Sequence, residues 1–311
     1  MDTTSPQATP PRELASLLGR LTETWPVRAG VKHDEPDPET LYVPDAPDFL
    51  DALLPFREHP RYRAASTDLR QRVLTCGWIA YNEKTVAIES HVIVPACRHV
   101  IDGEVAGVED ESCRQALAQI FVDEAFHVLL ILDAARAART RRGLLGLRVP
   151  PPHVVTRMLT AEAAAAYAWQ RPLIRVLCAI VSEVSISDYL ALLATAADIQ
   201  PLNRIATDIH RTDEAAHALL FKALARVLYR GLSPVQQGFV REFLPRPLAW
   251  FADFELGVWR AMLRQIGFPG ADAMIDECKE AAELDLARRD YSQLADLAAE
   301  LGFSAATAPD A

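Results

Sequence analysis

Two five-residue stretches decide the fold: residues 123–127 read DEAFH and residues 213–217 read DEAAH. Both follow the pattern D-E-x-x-H, and both lie inside long segments whose apolar residues recur at helical spacing. On an α-helix, a Glu and the His three residues later lie about 60° apart, so a carboxylate oxygen and an imidazole nitrogen can bind one ion. A single E-x-x-H match arises readily by chance, whereas two in apolar helices, each preceded by Asp, indicate a metal site.

Two further helical segments each supply one carboxylate in apolar surroundings, Glu89 and Glu183. A buried carboxylate is costly unless a partner or an ion balances it, which favours a ligand role over a solvated helix face. Glu83 competes with Glu89, but it lies beside Lys84 and fits a solvated position better. The order Glu, E-x-x-H, Glu, E-x-x-H is that of ferritin-like di-iron and di-manganese proteins. The sequence therefore predicts an all-α fold, a ferritin-like four-helix bundle with additional surrounding helices.

His210 adds a third imidazole to the same helix face as the second motif. It precedes Glu214 by four residues and His217 by seven. Relative to His210, these two side chains lie at about 40° and about −20° on the helical wheel, so all three point the same way. We expect His210 to give one metal an extra nitrogen ligand, which would make the two ions inequivalent.

Long helices interrupted by Pro and Gly account for most of the chain. Pro95 is expected to kink the first of them or to end it early. The helices are predicted at residues 67–100, 109–142, 153–199 with a break near Pro172, 201–229, 247–265 and 271–290, followed by a shorter one that ends at Leu301.

The chain divides into one domain and two terminal segments. Residues 1–45 are Pro-rich and polar, and are predicted to form an N-terminal extension whose one short helix, residues 13–25, packs on the domain or is partly loose. The ligands lie on four helices that must converge on one centre, so residues 46–303 are predicted to form a single helical domain. Residues 304–311 are predicted to be a flexible tail.

Composition excludes several classes of partner. A net charge of −10 argues against nucleic acid, because phosphate binding needs clustered Lys and Arg, and it disfavours anionic membranes. The most apolar stretch, residues 176–197, contains Glu183 and Asp188, so we expect no membrane span. Five widely spaced cysteines without a CxxC pair, and an N-terminus without a secretory signal, predict a cytoplasmic protein.

With the third histidine, residues 80–220 resemble the p-aminobenzoate N-oxygenase type of di-iron arylamine oxygenase. The resemblance implies a ferritin-like bundle, often dimeric, that holds two iron ions and uses O2. It implies oxidation of an aromatic amine through hydroxylamine and nitroso stages to a nitro compound in secondary-metabolite biosynthesis. Carboxylate and imidazole ligands also suit manganese, which stays open. The matching metal-ligand positions are Glu89, Glu124, His127, Glu183, His210, Glu214 and His217.

Three side chains are candidates for substrate binding. Tyr81 matches a pocket tyrosine of the resembled family, although core packing explains it equally well. Tyr189 stands where the p-aminobenzoate enzymes carry an amide, which puts p-aminobenzoate itself in doubt as the substrate. Arg289, next to Arg288, is a candidate partner for a substrate carboxylate; an exposed helix face is the alternative.

Two aspartates are expected to support the ligands. Asp123 and Asp213 each precede a ligand Glu, and each can accept the free imidazole N–H of a ligand His on a neighbouring helix. His91 and His99 are expected not to be ligands, because their spacing from Glu89 places them elsewhere.

The chemistry at the metals requires an external electron donor, a ferredoxin or a reductase. The basic cluster at residues 136–142 is most simply a helix C-terminus, with ferredoxin docking as the alternative. The same site also allows other reactions: a C-hydroxylase, an N-oxygenase that stops at hydroxylamine or nitroso, or a manganese catalase-like activity. A non-catalytic ferritin-like metal-binding protein and a purely structural bundle remain as non-enzymatic alternatives.

Overall fold

A computed structural model describes residues 12–33, 35–105, 108, 111–282 and 292–301. Across these residues the regular elements are helices, with no strand, which confirms the predicted all-α, ferritin-like class. The α-helices are α1 (Arg12–Arg28), α2 (Pro60–Arg63), α3 (Thr67–Ile88), α4 (Val94–Ile101), α5 (Glu111–Arg141), α6 (His153–Ala163), α7 (Gln170–Ser185), α8 (Ser187–Ala194), α9 (Pro201–Gly231), α10 (Pro234–Phe243), α11 (Pro245–Ala252), α12 (Leu256–Gln265), α13 (Ala271–Ala282) and α14 (Ser292–Glu300).

Four helical rods close into a bundle. The first consists of α3 and α4, the second is α5, the third consists of α7 and α8, and the fourth is α9. The first rod packs against α5, α5 against α9, α9 against α7 and α8, and α7 back against α4. Each rod thus buries one face between two neighbours, as a four-helix bundle requires.

Pro95 was expected to kink the first rod or to end it early; the rod continues through Pro95, so the early end is wrong. A π-helical turn, Glu89–Ile93, joins α3 to α4 and places Pro95 at the start of α4. Proline has no N–H to donate to the carbonyl four residues back, which belongs to His91. Arg175 of α7 donates to that carbonyl instead, at 2.9 Å, so the lost hydrogen bond is replaced.

The third predicted helix is three helices in the structure. Pro172 lies inside the first turn of α7, where its missing N–H costs no helical hydrogen bond, and the break comes before it. A second break at Ile186 separates α7 from α8, which ends at Ala194 rather than at residue 199. The predicted start at His153 is therefore confirmed, and the predicted end is wrong.

The C-terminal helices are also more divided than predicted. The predicted helix over residues 247–265 is split into α11 and α12 by a short loop in which Glu255 takes a left-handed φ of 51°. The prediction missed α10, which Ser233 and Gln236 begin with a reciprocal capping box. The part of the helix predicted to continue from α13 to residue 290 lies outside the described residues, as do the predicted tail and residues 1–11, which precede α1.

Two buried apolar clusters fill the bundle and meet at one level. Along α5, Ile120 belongs to one cluster and Leu130 to the other; along α9, Ala206 and Leu220 do so in the opposite order. The carboxylate and histidine positions lie between these residues. The metal-ligand candidates therefore lie where the two halves of the core join.

The N-terminal helix α1 packs against both α5 and α9, on the outside of the bundle. Leu18 of α1 is fully buried. Residues 12–33 of the predicted extension thus lie against the two helices that carry the D-E-x-x-H motifs.

Two apolar stretches meet the length and composition criteria for a membrane span: α5, and α7 together with α8. Both are inner rods of the bundle. Because the core helices of globular proteins meet the same criteria, length and composition alone are weak evidence for a span.

Candidate metal centre

The seven predicted ligand side chains converge at the centre of the bundle. Each rod contributes at its middle: the π-turn of the first, one motif each from α5 and α9, and the C-terminal half of α7. Their exposed fractions do not exceed 4%, so no bulk water solvates them. They are Glu89, Glu124, His127, Glu183, His210, Glu214 and His217.

These side chains form two groups that share Glu214. Within each group, one ligand atom per residue lies within 4.8 Å of the others, a separation that one ion can bridge. The first group has two imidazoles and the second has one, so two bound ions would be inequivalent. The groups are Glu89, His127, His210 and Glu214, and Glu124, Glu183, Glu214 and His217.

Glu124 lies between the two motif histidines. Its Oε2 is 3.0 Å from His127 Nδ1, and its Oε1 is 2.9 Å from His217 Nδ1. Glu214 Oε1 lies 3.5 Å and 3.4 Å from the same two nitrogens. Both histidines therefore turn Nδ1 inwards, and both motif carboxylates can reach either ion.

His210 approaches the centre through its other nitrogen. Its Nε2 lies 3.1 Å from Glu214 Oε1 and 3.5 Å from Glu89 Oε1. The ring centroids of His210 and His127 are 4.2 Å apart. These two imidazoles can thus bind the same ion.

Several carboxylate oxygens in the cluster lack hydrogen-bond partners among the described residues: Glu89 Oε2, Glu183 Oε2 and Glu214 Oε2. An unpartnered polar atom in a dry interior costs on the order of 1–3 kcal/mol. Oxygen and imidazole nitrogen together suit cations such as iron or manganese. Two divalent cations would satisfy these oxygens, so the residues fit a dinuclear metal site.

The electrostatics of the site show an excess of acid over base. Burial, then the charge of Glu124, raises the pKa of Glu89 well above its usual range. Burial, then the charge of Glu214, does the same to the pKa of Glu183. Burial also acts to raise the pKa of Glu124, but the charge of His217 and several hydrogen bonds outweigh this effect and lower the pKa. The four carboxyl groups outnumber the three imidazoles of the site, so protons or metal ions must balance the excess acid.

The two motif histidines, His127 and His217, have raised pKa values and hold protons more tightly than usual. Burial lowers the pKa of His127, but hydrogen bonds to Asp213 and Glu124 raise it to about 9. Burial also opposes the charged form of His217, and the charges of Glu124 and Glu214 outweigh it and raise its pKa. A metal ion at either Nδ1 must therefore displace a proton.

The two aspartates that precede the ligand glutamates contact the histidines across the bundle. Asp123 Oδ2 lies 3.2 Å from His217 Nε2, and Asp213 Oδ2 lies 3.2 Å from His127 Nε2. Because an ionised carboxylate only accepts, these contacts place the imidazole proton on Nε2 and leave Nδ1 for a metal. Both aspartates are fully buried.

The structure describes two of the three candidate substrate-binding residues, Tyr81 and Tyr189. Tyr81 and Tyr189 stack, with ring centroids 5.4 Å apart and an interplanar angle of 24°. Within the described structure, the Tyr81 hydroxyl has no hydrogen-bond partner, and burial, then the neighbouring Tyr189, raises its pKa. Arg288 and Arg289 lie outside the described residues.

The residues expected not to be ligands lie elsewhere. Glu83 is half-exposed and pairs with Arg139, at 2.6 Å. His91 is exposed, and His99 contacts Glu104 near the surface. Within the basic cluster, Arg142 binds Asp48 at 3.0 Å, so part of it joins an N-terminal loop to α5.

Sequence reasoning missed three contacts from residues that follow or end α1. Trp25 and Arg28 donate to Asp123 and Asp213, and the backbone N–H of Gly30 donates to Asp213. The periodicity of the bundle helices carries no signal for these contacts, since Trp25 and Asp123 are 98 residues apart.

A family model and a curated relative each match most of the chain. The family model described as "P-aminobenzoate N-oxygenase AurF" matches residues 12–302. The chain is also 33% identical over 296 residues to the 4-aminobenzoate N-oxygenase of Streptomyces thioluteus, an alignment that covers 93% of this chain and 87% of that relative.

Proposed function

Because the chain belongs to the p-aminobenzoate N-oxygenase AurF family, and is therefore an N-oxygenase enzyme, we propose that it is a di-iron, O2-dependent arylamine N-oxygenase. Its product is a nitro compound, reached through hydroxylamine and nitroso stages in secondary-metabolite biosynthesis. The observation that carries the proposal is the buried pair of carboxylate–histidine groups that share Glu214.

The seven side chains are proposed to hold two iron ions. The irons, when bound, would supply the O2 activation and the electron transfer that protein side chains cannot. The protein's own contribution is ligation, orientation and a dry interior. Glu124 and Glu214 can reach both positions, while Asp123 and Asp213 hold the Nε2 protons of the histidines.

The first oxidation balances with an external reductant. An aromatic amine and O2, with two electrons and two protons, give the hydroxylamine and one water. We propose that the electrons come from a ferredoxin or a reductase. A cytoplasmic homodimer is proposed as the working form.

An aromatic amine is the proposed substrate class, and the name of the Streptomyces thioluteus relative gives 4-aminobenzoate as the first compound to test. Tyr81 and Tyr189 are proposed to flank the substrate on one side of the metals, and Arg289 to pair with a carboxylate on the ring. An aniline without a carboxylate should then bind less tightly than its carboxylated counterpart.

The test uses purified full-length protein loaded anaerobically with Fe(II). Metal content is measured first, and iron and manganese loading are compared. The protein is then mixed with 4-aminobenzoate or other anilines, a chemical reductant and O2, and the products are identified by mass spectrometry. We expect about two irons per chain and products heavier by the added oxygen.

Two histidine variants compare the loss of a buried site histidine with the loss of an exposed one. His210→Ala should abolish N-oxygenation, whereas His91→Ala, at an exposed histidine of the same protein, should retain it. Protein that holds two irons and yields no N-oxygenated product across the anilines would overturn the proposal. A product hydroxylated on carbon would show that the protein is a C-hydroxylase instead. Disproportionation of peroxide that depends on manganese would show a catalase-like activity instead.

A further inference from the structure

The segment that ends α1 reaches both aspartates behind the metal-binding histidines. Trp25 Nε1 donates to Asp123 Oδ1 at 2.8 Å. Arg28 Nη1 donates to Asp213 Oδ1 at 3.1 Å, and the backbone N–H of Gly30 donates to Asp213 Oδ2 at 3.0 Å. The carboxylate of each aspartate thus contacts both a histidine and the N-terminal segment.

From these contacts we infer that Trp25, Arg28 and Gly30 are positioning residues for the metal centre, each acting on one of the two ions. The chain of contacts from Trp25 runs through Asp123 to His217. The chain from Arg28 and Gly30 runs through Asp213 to His127. The inference rests on the proposed metal site, and concerns how its ligands are held.

The two chains lead to different ion positions. His217 belongs to the group with Glu124 and Glu183, which has one imidazole. His127 belongs to the group with Glu89 and His210, which has two. Loss of one contact chain should therefore weaken one ion position and leave the other.

Close packing holds the segment in this place. A Cβ atom at Gly30 would lie 2.7 Å from Ile209 Cγ2 and 3.1 Å from Asp213 Oδ2, so only glycine allows the backbone to approach the carboxylate. The ammonium group of Lys32 lies over the Trp25 ring, 4.3 Å from its centroid, and fixes the indole from outside.

Fixing an aspartate matters because its orientation determines that of the imidazole. Partners one step behind a metal-bound histidine set its tautomer and ring orientation, and their loss commonly costs 10–100-fold in metal affinity. Trp25 and Arg28 act one step further out. We therefore expect effects of about 10-fold, at the lower end of that range.

The test titrates metal-free, full-length protein with Co(II) and follows the visible absorption, which reports the ligand geometry of each bound ion. Trp25→Phe keeps an aromatic ring and removes the donor. Arg28→Met keeps the aliphatic stem and removes the charge. Each variant should weaken one of two Co(II) sites about 10-fold and leave the other unchanged.

The spectrum identifies which site remains strong. In Trp25→Phe, the first equivalent of Co(II) should occupy the position with two imidazoles. In Arg28→Met, the first equivalent of Co(II) should occupy the position with one imidazole, so the spectra of the two variants should differ. Arg28→Lys should restore most of the affinity because it returns a charged donor. Gly30→Ala, checked by circular dichroism for folding, should resemble Arg28→Met.

Two controls on the same helix separate positioning from simple docking. Arg20→Met removes an exposed arginine and should leave both sites unchanged. Leu18→Ala removes a fully buried side chain and should lower the melting temperature without favouring one site over the other. If Leu18→Ala and Trp25→Phe weaken both sites alike, the segment only docks and the inference fails.

The outcomes distinguish the inference from the proposed function. Wild-type protein that binds two Co(II) ions, with variants that bind them identically, overturns only the positioning role. Wild-type protein that binds no metal overturns the proposed centre, and the positioning role with it. Selective loss of one site in each variant supports the inference whether or not any amine is oxidised.

Discussion

Replacing Glu183 by methionine should stabilise the metal-free protein and reduce its further stabilisation by metal. The Glu183 side chain is 2% exposed, and its Oε2 has no hydrogen-bond partner in the part of the chain that the structure describes. Burial, then the charge of Glu214, raises its pKa, which favours the uncharged acid in the absence of metal. Methionine has a similar length and no unsatisfied polar atom.

The magnitude follows from the two opposing effects. Removing an unsatisfied buried polar group should add about 1–3 kcal/mol to the free energy of unfolding of the metal-free protein. Each bound ion stabilises the wild type by about 2.7 kcal/mol when the free metal is 100 times its dissociation constant. The variant loses a candidate ligand of the group that contains His217, so most of the stabilisation by the ion bound to that group should disappear.

Urea denaturation followed by circular dichroism, with chelator and then with anaerobic Fe(II), measures both quantities. Glu242→Met is the matched control, because that side chain is 77% exposed and should change stability by less than about 0.5 kcal/mol. The reasoning is refuted if Glu183→Met destabilises the metal-free protein, or if metal stabilises the variant as much as the wild type.

Three further predictions concern other parts of the fold. Burial acts to raise the pKa of Asp253, but contacts with His153 and the Glu255 N–H outweigh it and lower the pKa. A carboxyl group whose pKa is lowered by folding stabilises the fold at pH values above its pKa in the unfolded chain, which is about 3.9. The stability advantage of wild type over Asp253→Asn, about 1 kcal/mol at pH 7, should therefore decline as the pH falls below about 4, and a pH-independent difference in urea denaturation would contradict this. Cys278 is partly exposed and the other four cysteines are buried, so a thiol reagent should label one fast site that Cys278→Ser removes, and two fast sites would contradict the burial pattern. A Cβ at Gly77 would lie 2.7 Å from Phe49 Cδ1, whereas one at Gly238 in α10 would meet no atom within 4 Å; Gly77→Ala should cost about 1–3 kcal/mol and Gly238→Ala should gain up to about 1 kcal/mol, as thermal unfolding can test.

The metal-ligand candidates were accessible from sequence because their relations are local. Glu124 and His127 are three residues apart, and helical periodicity alone puts them on one face. The same reasoning placed His210 on the face of the second motif. Helix limits were less predictable, because the consequence of Pro95 depends on whether Arg175, from another rod, replaces the missing hydrogen bond.

The arrangement around the ligands depends on packing between distant segments. The sequence predicted that Asp123 and Asp213 each accept from a ligand histidine on a neighbouring helix, but which histidine each one contacts is a property of how α5 and α9 cross. The stacking of Tyr81 on Tyr189 likewise joins two rods of the bundle.

Amino-acid types and helical spacing are sufficient to predict the class of fold and a candidate metal site, because the spacing within each motif is local to one helix. The approach of Trp25 to Asp123, and of Arg28 to Asp213, spans 98 and 185 residues. Such contacts exist only once α1 has docked, and their formation depends on side-chain volumes such as the missing Cβ of Gly30, which no local pattern encodes. Tertiary packing therefore decided which residues contact the aspartates beside the metal-ligand candidates.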